Sequence, residues 1–510
     1  MLNPLCQAQG RACRTATDLC LSQRHSVRRL KAFDSHHDHG ATYVYLTFIA
    51  KELLRNILSL RYSLVFFLFV LLIVAATVVR TEMYHKQVAD YTVAQRGRSE
   101  AMHSAERFWQ SRGLGITVDK PPNPLGIFAV GLENEITRSF SLSEWALPRT
   151  GERKLSNPSF RYGLNLDMVM IMNLVCSLLA MLLVFDAVSG EREQGTLRVL
   201  LAGPLPRDVV ILSKLVAGLL TLLIPLAIAW MLSLLYVLVL RRVQLDGEQM
   251  VRLAWIAGLS VVYVTFFFGV GMAVTAWTRR SATSLAISLF VWIVFVLAVP
   301  NLVPMVVDRF APIPPESKIT LEKEAFGDEF DKEMHSKVYA ELSASGKYDE
   351  NESELWQELQ RRKQEYIQRE SEKLDRFYNS RIARQLRLNQ EMSRLSPSAS
   401  FVYTATHMAS TGVRDFLRII DEVDEFAREY KEVEKEQEEK RRKEQENKQI
   451  KWFDVINDAY DPALWPPFEP KVEQLASVVN RGWLDMGLLF GGTVVFFLLA
   501  VVGFMRYDPR

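Results

Sequence analysis

Six predominantly apolar runs, each of bilayer length, alternate with polar stretches along this chain. They predict membrane-spanning helices at residues 63–79, 168–184, 215–240, 253–277, 282–299 and 483–504. An even number of spans places both termini on one side of the membrane. The pattern therefore predicts an all-α membrane protein with six transmembrane helices and two large polar blocks outside the bilayer.

The residues before the first span show the period of an amphipathic helix from 43 to 61. Its polar face is formed by Lys51, Glu52, Arg55, Asn56 and Ser59. We expect this helix to lie along the membrane surface and to lead into span one. Residues 1–42 have no apolar period and no signal-peptide core, so we expect a flexible tail there.

The two polar blocks, at residues 80–166 and 305–480, differ in composition and in predicted secondary structure. The first mixes polar and apolar residues with prolines, whereas the second predicts helices at 322–342, 352–395 and 401–448. Ser396-Pro397-Ser398 marks a break between two of these helices. A seam spaced for packing on a partner helix is formed by Phe416, Ile420, Val423, Ala427 and Tyr430. The highly charged end of this helix predicts a solvated surface.

A polar-rich stretch at residues 185–214, called the connector below, joins spans two and three. Two glutamates flank Arg192, Gly195 permits a bend, and Leu197 and Leu200 give the following turns an apolar side. Two prolines then stop the helix before span three. The sequence thus predicts one short amphipathic helix at residues 191–201, attached directly to two spans, so that a force on it would tilt both.

The distribution of charged residues predicts how the chain is oriented in the membrane. The net charge gives no indication of a polyanionic partner. The net charge is +2 over 510 residues, which gives no indication of nucleic-acid binding. Basic residues lie beside the spans on the connector side, at Lys51, Arg55, Arg61, Arg279, Arg280, Arg506 and Arg510. By the positive-inside tendency, the connector and both termini face the cytoplasm and both polar blocks lie outside. Arg241 and Arg242 count against this orientation.

The sequence contains none of the common catalytic motifs. There is no G-x-x-x-x-G-K-[ST] phosphate loop, H-E-x-x-H or G-x-S-x-G, so the chain itself is not expected to hydrolyse ATP. The spans contain few ionisable residues, which argues against an ion-driven carrier. A metal site at His36, His37 and His39 with the tail cysteines lacks the usual spacing. No metal or cofactor is therefore expected in this chain.

One motif in the connector is specific enough to indicate a protein family. The order acidic-Arg-acidic-x-Gly-Thr-Leu, then Leu-Leu, Pro-x-x-Arg and a lysine in the next helix, resembles the coupling segment of type-2 ABC exporter permeases. The likeness extends to the flanking spans and to the amphipathic helix before span one. The stretch LSPSASFVYTATHMASTGVRDF, residues 395–416, resembles a subgroup of these permeases with a large extracytoplasmic helical insertion before the last span.

The resemblance implies the membrane subunit of an exporter, driven by a separate ATPase subunit that binds ATP and magnesium. It implies that the connector is a cytoplasmic coupling helix that docks into a cleft of the ATPase. The residues expected at this contact are Glu191, Arg192, Glu193, Gly195, Thr196, Leu197, Leu200 and Arg207. The glutamates would pair with basic groups of the ATPase, Arg192 with acidic groups or lipid phosphate, and the leucines would bury in the cleft or the bilayer.

The resemblance also implies a second permease, either an identical copy or a related chain, in a bacterial inner membrane with both termini cytoplasmic. The expected organisation is a tail at 1–42, the interfacial helix and first span at 43–79, and an extracytoplasmic segment at 80–166. Spans two to five follow at 167–304, a helical extracytoplasmic insertion at 305–480, and the last span at 481–510. The alternative is a membrane-anchored scaffold whose extracytoplasmic helices bind a partner protein without transport.

Overall fold

The computed structural model describes residues 37–104, 116–133, 139–143, 146–150, 166–202, 206–241, 243–314, 316–344, 352–448, 468, 470–471 and 473–507. Within these residues six helices are long and apolar enough to cross a membrane. They are Tyr62–Gly97, Met168–Glu193, Arg207–Leu240, Gly247–Trp277, Ser281–Phe310 and Leu475–Met505, numbered spans one to six. The predicted helical fold class with six spans is confirmed.

The helices are labelled in chain order. The first part of the chain contains α1 (His37–Ile57), α2 (Leu60–Ser104), α3 (Met168–Ile171), α4 (Ser177–Val184), α5 (Ser189–Glu193), α6 (Thr196–Leu201), α7 (Arg207–Leu235), α8 (Gly247–Trp277) and α9 (Ser281–Trp292). The second part contains α10 (Val299–Phe310), α11 (Glu316–Glu329), α12 (His335–Ala344), α13 (Glu352–Ser393), α14 (Pro397–Met408), α15 (Val413–Lys448) and α16 (Leu475–Met505).

The amphipathic helix before span one is α1, and it packs against span three. It begins at His37, whereas the sequence predicted its start at residue 43; residues 1–36 lie outside the described part. Tyr62 donates from its hydroxyl to the carbonyl of Thr221 in span three. Leu54 and Leu58 keep 56% and 79% of their surface exposed, as expected for a helix at a lipid surface.

Span five is longer than the sequence predicted. We expected it to end near residue 299, before Pro300 and Pro304, but the helix continues to Phe310. A π-helical turn at Ile293–Ala298 precedes Pro300. Such a turn shifts the hydrogen-bonding register, and Pro300 falls in the first turn of α10, where a missing backbone N–H is tolerated.

A small antiparallel sheet lies in the first polar block and was not predicted. Its strands are β1 (Ile116–Asp119), β2 (Ser139–Ser143) and β3 (Ala146–Thr150), in the order β1-β2-β3. Ile116 pairs with Leu142, and Phe140 pairs with Thr150 on the other side. The block also begins differently than expected, because α2 continues span one without a break as far as Ser104.

The two polar blocks are in contact with each other at the end of the bundle opposite the connector. The backbone N–H of Leu132 donates to the carbonyl of Thr411 at 2.9 Å, and the Thr411 hydroxyl donates to the carbonyl of Ala129 at 2.8 Å. Gly131 lies beside this contact with a φ of +50°, and an added Cβ would stand 2.4 Å from the Thr411 carbonyl oxygen. Only glycine fits both the backbone conformation and the space at this junction.

The second polar block forms a long helical hairpin. Helix α13 packs along α11 and α12, and ion pairs join Lys323 to Asp375 at 2.7 Å and Lys363 to Asp331 at 2.6 Å. The break at Ser396-Pro397 is confirmed, and a second break separates α14 from α15. In α15 three residues of the predicted seam pack on other segments: Ile420 on Leu132, and Val423 and Ala427 on Phe468. These three residues therefore cover loop residues rather than a partner helix.

The largest core of the described chain runs through the bundle. Span four lies at its centre and packs along span six and span two. Tyr263, Phe267 and Phe268 are fully buried there. Helix α14 from the second polar block belongs to the same core, with Phe401 fully buried.

Candidate functional site

The connector folds as two short helices rather than one. Helix α5 ends at Glu193 and α6 begins at Thr196, with Gly195 between them at a φ of +74°. This left-handed conformation is the usual way to end one helix and redirect the chain, and glycine adopts it without strain. The predicted bend at Gly195 is therefore present, and it divides the connector into an inner part, α5, and an outer part, α6.

Glu191 is held inside the chain. Its Oε1 accepts a hydrogen bond from Lys214 Nζ of span three at 2.6 Å and lies 3.6 Å from the Arg55 guanidinium of α1. Lys214 Nζ is also 3.7 Å from Glu52 Oε1. We expected Glu191 to pair with basic groups of an ATPase, but its charge is already satisfied by this cluster, which joins α1, α5 and span three.

Arg192 caps the end of span four. Its guanidinium donates to the carbonyls of Thr278 at 2.8 Å and Ala276 at 3.1 Å, and lies 4.4 Å from the ring centre of Tyr507. Helix C-termini carry unpaired carbonyls and partial negative charge, so a guanidinium is stabilising there. The expected partners, acidic groups or lipid phosphate, are replaced by carbonyl oxygens and an aromatic face.

Two more connector residues bind the ends of other spans. Glu193 accepts a hydrogen bond from the backbone N–H of Ser281 at 3.0 Å, at the start of span five. Arg207 donates to the carbonyls of Met505 at 3.3 Å and Tyr507 at 3.1 Å, at the end of span six. A carboxylate at a helix start and a guanidinium at a helix end both match the helix dipole.

The connector is thus bonded to α1 and to the ends of spans three, four, five and six. The sequence predicted a lever on spans two and three alone. Because Arg192, Glu193 and Arg207 contact the three later spans, a displacement of the connector acts on the end of the whole bundle.

The outer helix α6 has one buried face and one exposed face. Leu197 is fully buried and Leu200 packs against the core, so in this conformation Leu197 faces the bundle rather than outward. The exposed face is formed by Gln194, Thr196, Arg198 and Val199, and Val199 keeps 77% of its surface exposed. Sequence reasoning missed Arg198 and Val199, although the spacing of Leu197, Leu200 and Leu201 already places these leucines on the opposite face.

Comparison with known families gives the same result as the motif. The family model described as "ABC-2 family transporter protein" matches residues 46–509, nearly the whole chain. The chain belongs to this family. An ABC-2 transporter protein is a multi-pass membrane component of a transporter and works with an ATPase partner, so the ABC-2 chain is not itself the expected site of ATP hydrolysis. A comparison with curated proteins finds no similar sequence.

Proposed function

We propose that this ABC-2 chain is the membrane-spanning subunit of an exporter, driven by a separate ATPase that docks on the exposed face of α6. The observation that carries the proposal is the two-sided connector. Glu191, Arg192 and Glu193 hold α5 to the bundle, while α6 presents Val199 and Arg198 outward. Arg198 is of a residue type that is enriched at protein interfaces, and Val199 beside it adds an exposed apolar side chain.

In this proposal ATP and magnesium bind in the ATPase, and closure of the ATPase moves α6. Leu197 anchors α6 in the core, and Arg192 ties α5 to span four. The movement would therefore pass to the bundle as a displacement of several helix ends together. This differs from the tilt of two helices that the sequence suggested.

We further propose that the connector and both termini are cytoplasmic in a bacterial inner membrane, and that the polar blocks are extracytoplasmic. The basic residues at the connector end support this orientation. A second permease copy, identical or related, would complete the pathway, because six helices alone rarely enclose one. Outward apolar residues such as Phe67, Phe290 and Phe490, each more than half exposed, are available to lipid or to that copy.

The test is copurification from native membranes with an affinity-tagged chain and its Val199→Asp variant. We expect the tagged chain to bring down a P-loop ATPase, and the variant to lose it by about tenfold or more, since about 1.4 kcal/mol is a factor of ten. Val93→Asp is the matched control, because Val93 is 69% exposed at the opposite end of the bundle. Equal ATPase recovery with both variants would contradict docking on α6.

A labelling experiment tests the orientation. Val199→Cys and Gln360→Cys are compared, with the tail cysteines replaced by serine, using a membrane-impermeant maleimide on intact cells. We expect labelling of Gln360→Cys only, and labelling of Val199→Cys after the membrane is opened. Labelling of Val199→Cys in intact cells would overturn the proposal. A tagged chain that recovers an extracytoplasmic protein and no ATPase would favour the scaffold alternative.

A further inference from the structure

Helix α14 of the second polar block is inserted into the transmembrane bundle. Phe401, Ala405 and Met408 are at most 1% exposed and belong to the same core as the spans. The Phe401 ring stacks on Tyr263 of span four at 4.2 Å between centroids and 16° between planes. Tyr263 lies next to the middle residue of α8, which runs from Gly247 to Trp277. The start of α14 therefore lies deep among the spans.

A buried set of neutral polar groups joins the start of α14 to spans two and four. Ser398 Oγ donates to Asn173 Oδ1 at 2.6 Å, and the Tyr263 hydroxyl donates to the same oxygen at 2.7 Å. Next to it, Trp292 of span five donates from Nε1 to Ser177 Oγ of span two at 2.9 Å. The Ser396 hydroxyl donates to the carbonyl of Phe295 in span five.

The backbone of two spans is adapted to these contacts. Asn173 lies in a π-helical turn of span two, Met172–Cys176, and Phe295 lies in the π-helical turn of span five. A π-turn interrupts the regular i→i−4 bonding and leaves carbonyl oxygens available to other donors. Phe295 offers its carbonyl to Ser396, and Asn173 offers its carbonyl to Tyr263 at 3.1 Å. The departures from α-helix coincide with the attachment of α14.

The other end of α14 is also bonded to the bundle. Arg252 of span four is 2% exposed and donates to the carbonyl of Met408 at 3.3 Å and to Ser410 Oγ at 2.8 Å. On the hairpin side, Arg394 Nε donates to Asp485 Oδ1 of span six at 2.9 Å. Only two residues, Leu395 and Ser396, separate Arg394 from Pro397, the first residue of α14.

These attachments make α14 the base of a long lever. Helix α13 ends at Ser393 and has 42 residues, about 63 Å at 1.5 Å per residue. Its ion pairs with α11 and the π-turn after it make the hairpin move as one body. A small rotation of α14 therefore displaces the far end of α13 by a much larger distance.

We propose that α14 is a transmission element, which converts rearrangement of spans two, four, five and six into movement of the α11–α13 hairpin. That an ATPase drives this rearrangement rests on the proposed function. The attachment of α14 to the spans does not depend on it. The hairpin would then carry ATP-driven motion to the side of the membrane opposite the connector, and a partner holding the hairpin would in turn slow the ATPase.

The first measurement uses the chain alone. Spin labels are placed at Gln360→Cys on α13 and Gln244→Cys before span four, with the tail cysteines replaced by serine and the fully buried Cys176 retained. The label distance is measured by pulsed electron paramagnetic resonance. We expect Tyr263→Phe/Ser398→Ala to broaden the distance distribution. Ser400→Ala is the matched control, because the buried Ser400 hydroxyl makes no hydrogen bond among the described residues.

The second measurement adds the copurified ATPase, with and without ATP and vanadate. We expect the label distance to shift by about 4 Å in the starting protein and in Ser400→Ala, since a rotation of about 5° acting over the roughly 50 Å from Ser393 to Gln360 gives this displacement. In Tyr263→Phe/Ser398→Ala the shift should fall by half or more while ATPase activity changes less than about twofold.

The outcomes separate the two proposals. An unchanged distribution in Tyr263→Phe/Ser398→Ala would overturn the role of α14 whatever the ATPase does. An ATP-independent distance in a complex with stimulated ATPase would overturn it as well. An ATPase that is neither bound nor stimulated would overturn the proposed function, and the first measurement would still decide the attachment of the hairpin.

Discussion

The two ends of the bundle are joined to their neighbouring elements by different chemistry. The connector is attached by charged groups, such as the Lys214–Glu191 pair and the Arg192 guanidinium on helix carbonyls. The start of α14 is attached by uncharged groups, the hydroxyls of Ser398 and Tyr263 on the Asn173 amide. The connector contacts lie at span ends, whereas Tyr263 is in the middle of a span. Depth explains the difference, because burying an ion among apolar side chains costs far more than burying a hydroxyl that makes a hydrogen bond.

The largest effect is expected from removing the charge at the connector. Lys214→Met leaves Glu191 and Glu52 without their ammonium partner, and breaking a buried ion pair from one side costs about 3 kcal/mol. We expect a lower thermal unfolding midpoint and loss of ATPase stimulation. Lys51→Met, at an exposed position of α1, is the matched control. If both variants unfold at the same temperature, the charged cluster does not hold the connector.

The protonation of Asp167, at the end of the bundle opposite the connector, should change the free energy of unfolding almost as much. Asp167 precedes span two and accepts hydrogen bonds from the backbone N–H groups of Met170 at 2.6 Å and Val130 at 2.7 Å. Burial raises its pKa to about 6, although these bonds and Arg80 lower the pKa. The folded state therefore binds the proton more tightly than the unfolded chain, and this stability is present below about pH 4 and lost as the pH rises through 6.

The variant Asp167→Asn removes this titration. The shift corresponds to about 3 kcal/mol at 1.36 kcal/mol per unit. Between pH 4 and pH 7 the unfolding midpoint of the starting protein should fall relative to that of Asp167→Asn. Asp208→Asn, at an exposed position in the first turn of span three, serves as the control. Parallel pH curves for the starting protein and Asp167→Asn would show that Asp167 does not titrate in this range.

Spans two and four are held together by close packing of their side chains, which can be tested at a glycine. A Cβ added at Gly271 would stand 2.6 Å from Val184 Cγ2, whereas Gly258 on the same helix has open space around it. We expect Gly271→Ala to destabilise by about 2 kcal/mol through overpacking. Gly258→Ala should be neutral or stabilising by up to about 1 kcal/mol, as for any alanine in a helix. Equal unfolding midpoints would mean that the spans separate easily at this level.

The smallest effect concerns the end of span six. Tyr507→Leu removes the aromatic face below Arg192, a contact of about 0.5–1 kcal/mol, and should lower ATPase stimulation about two- to fivefold. Tyr507→Phe keeps the face and should behave like the starting protein. A loss in Tyr507→Phe equal to that in Tyr507→Leu would assign the effect to the hydroxyl instead.

Features that depend on long apolar runs could be predicted from the sequence. The six spans follow from hydropathy, and the bend at Gly195 and the break at Ser396-Pro397 follow from local backbone chemistry. The continuation of span five past Pro300 could not be foreseen, because a π-turn has no residue signature. The sheet was missed because its strands are only four or five residues long, although ITVD and SFSLS do alternate apolar and polar residues.

The sequence predicted where the candidate site lies in the chain, but not which partners its side chains contact. The motif located the connector, but Glu191 binds a lysine 23 residues away, and Arg192 binds carbonyls 84 and 86 residues away. Such partners depend on how the spans assemble, which no local pattern records. The orientation of α6 was available from its leucine spacing, so Val199 could have been preferred to Leu197 from the sequence alone.

The junction of Gly131 with Thr411 also has a consequence for biosynthesis. The bond from Leu132 to Thr411 joins residues 279 positions apart. During translation, the early segment around Gly131 emerges long before its later half exists, and it must wait while four more spans enter the bilayer. Contacts so distant along the chain close slowly, and exposed intermediates of this kind are prone to aggregate. We therefore expect protection of this unfinished segment to favour correct folding until the ribosome has passed residue 411.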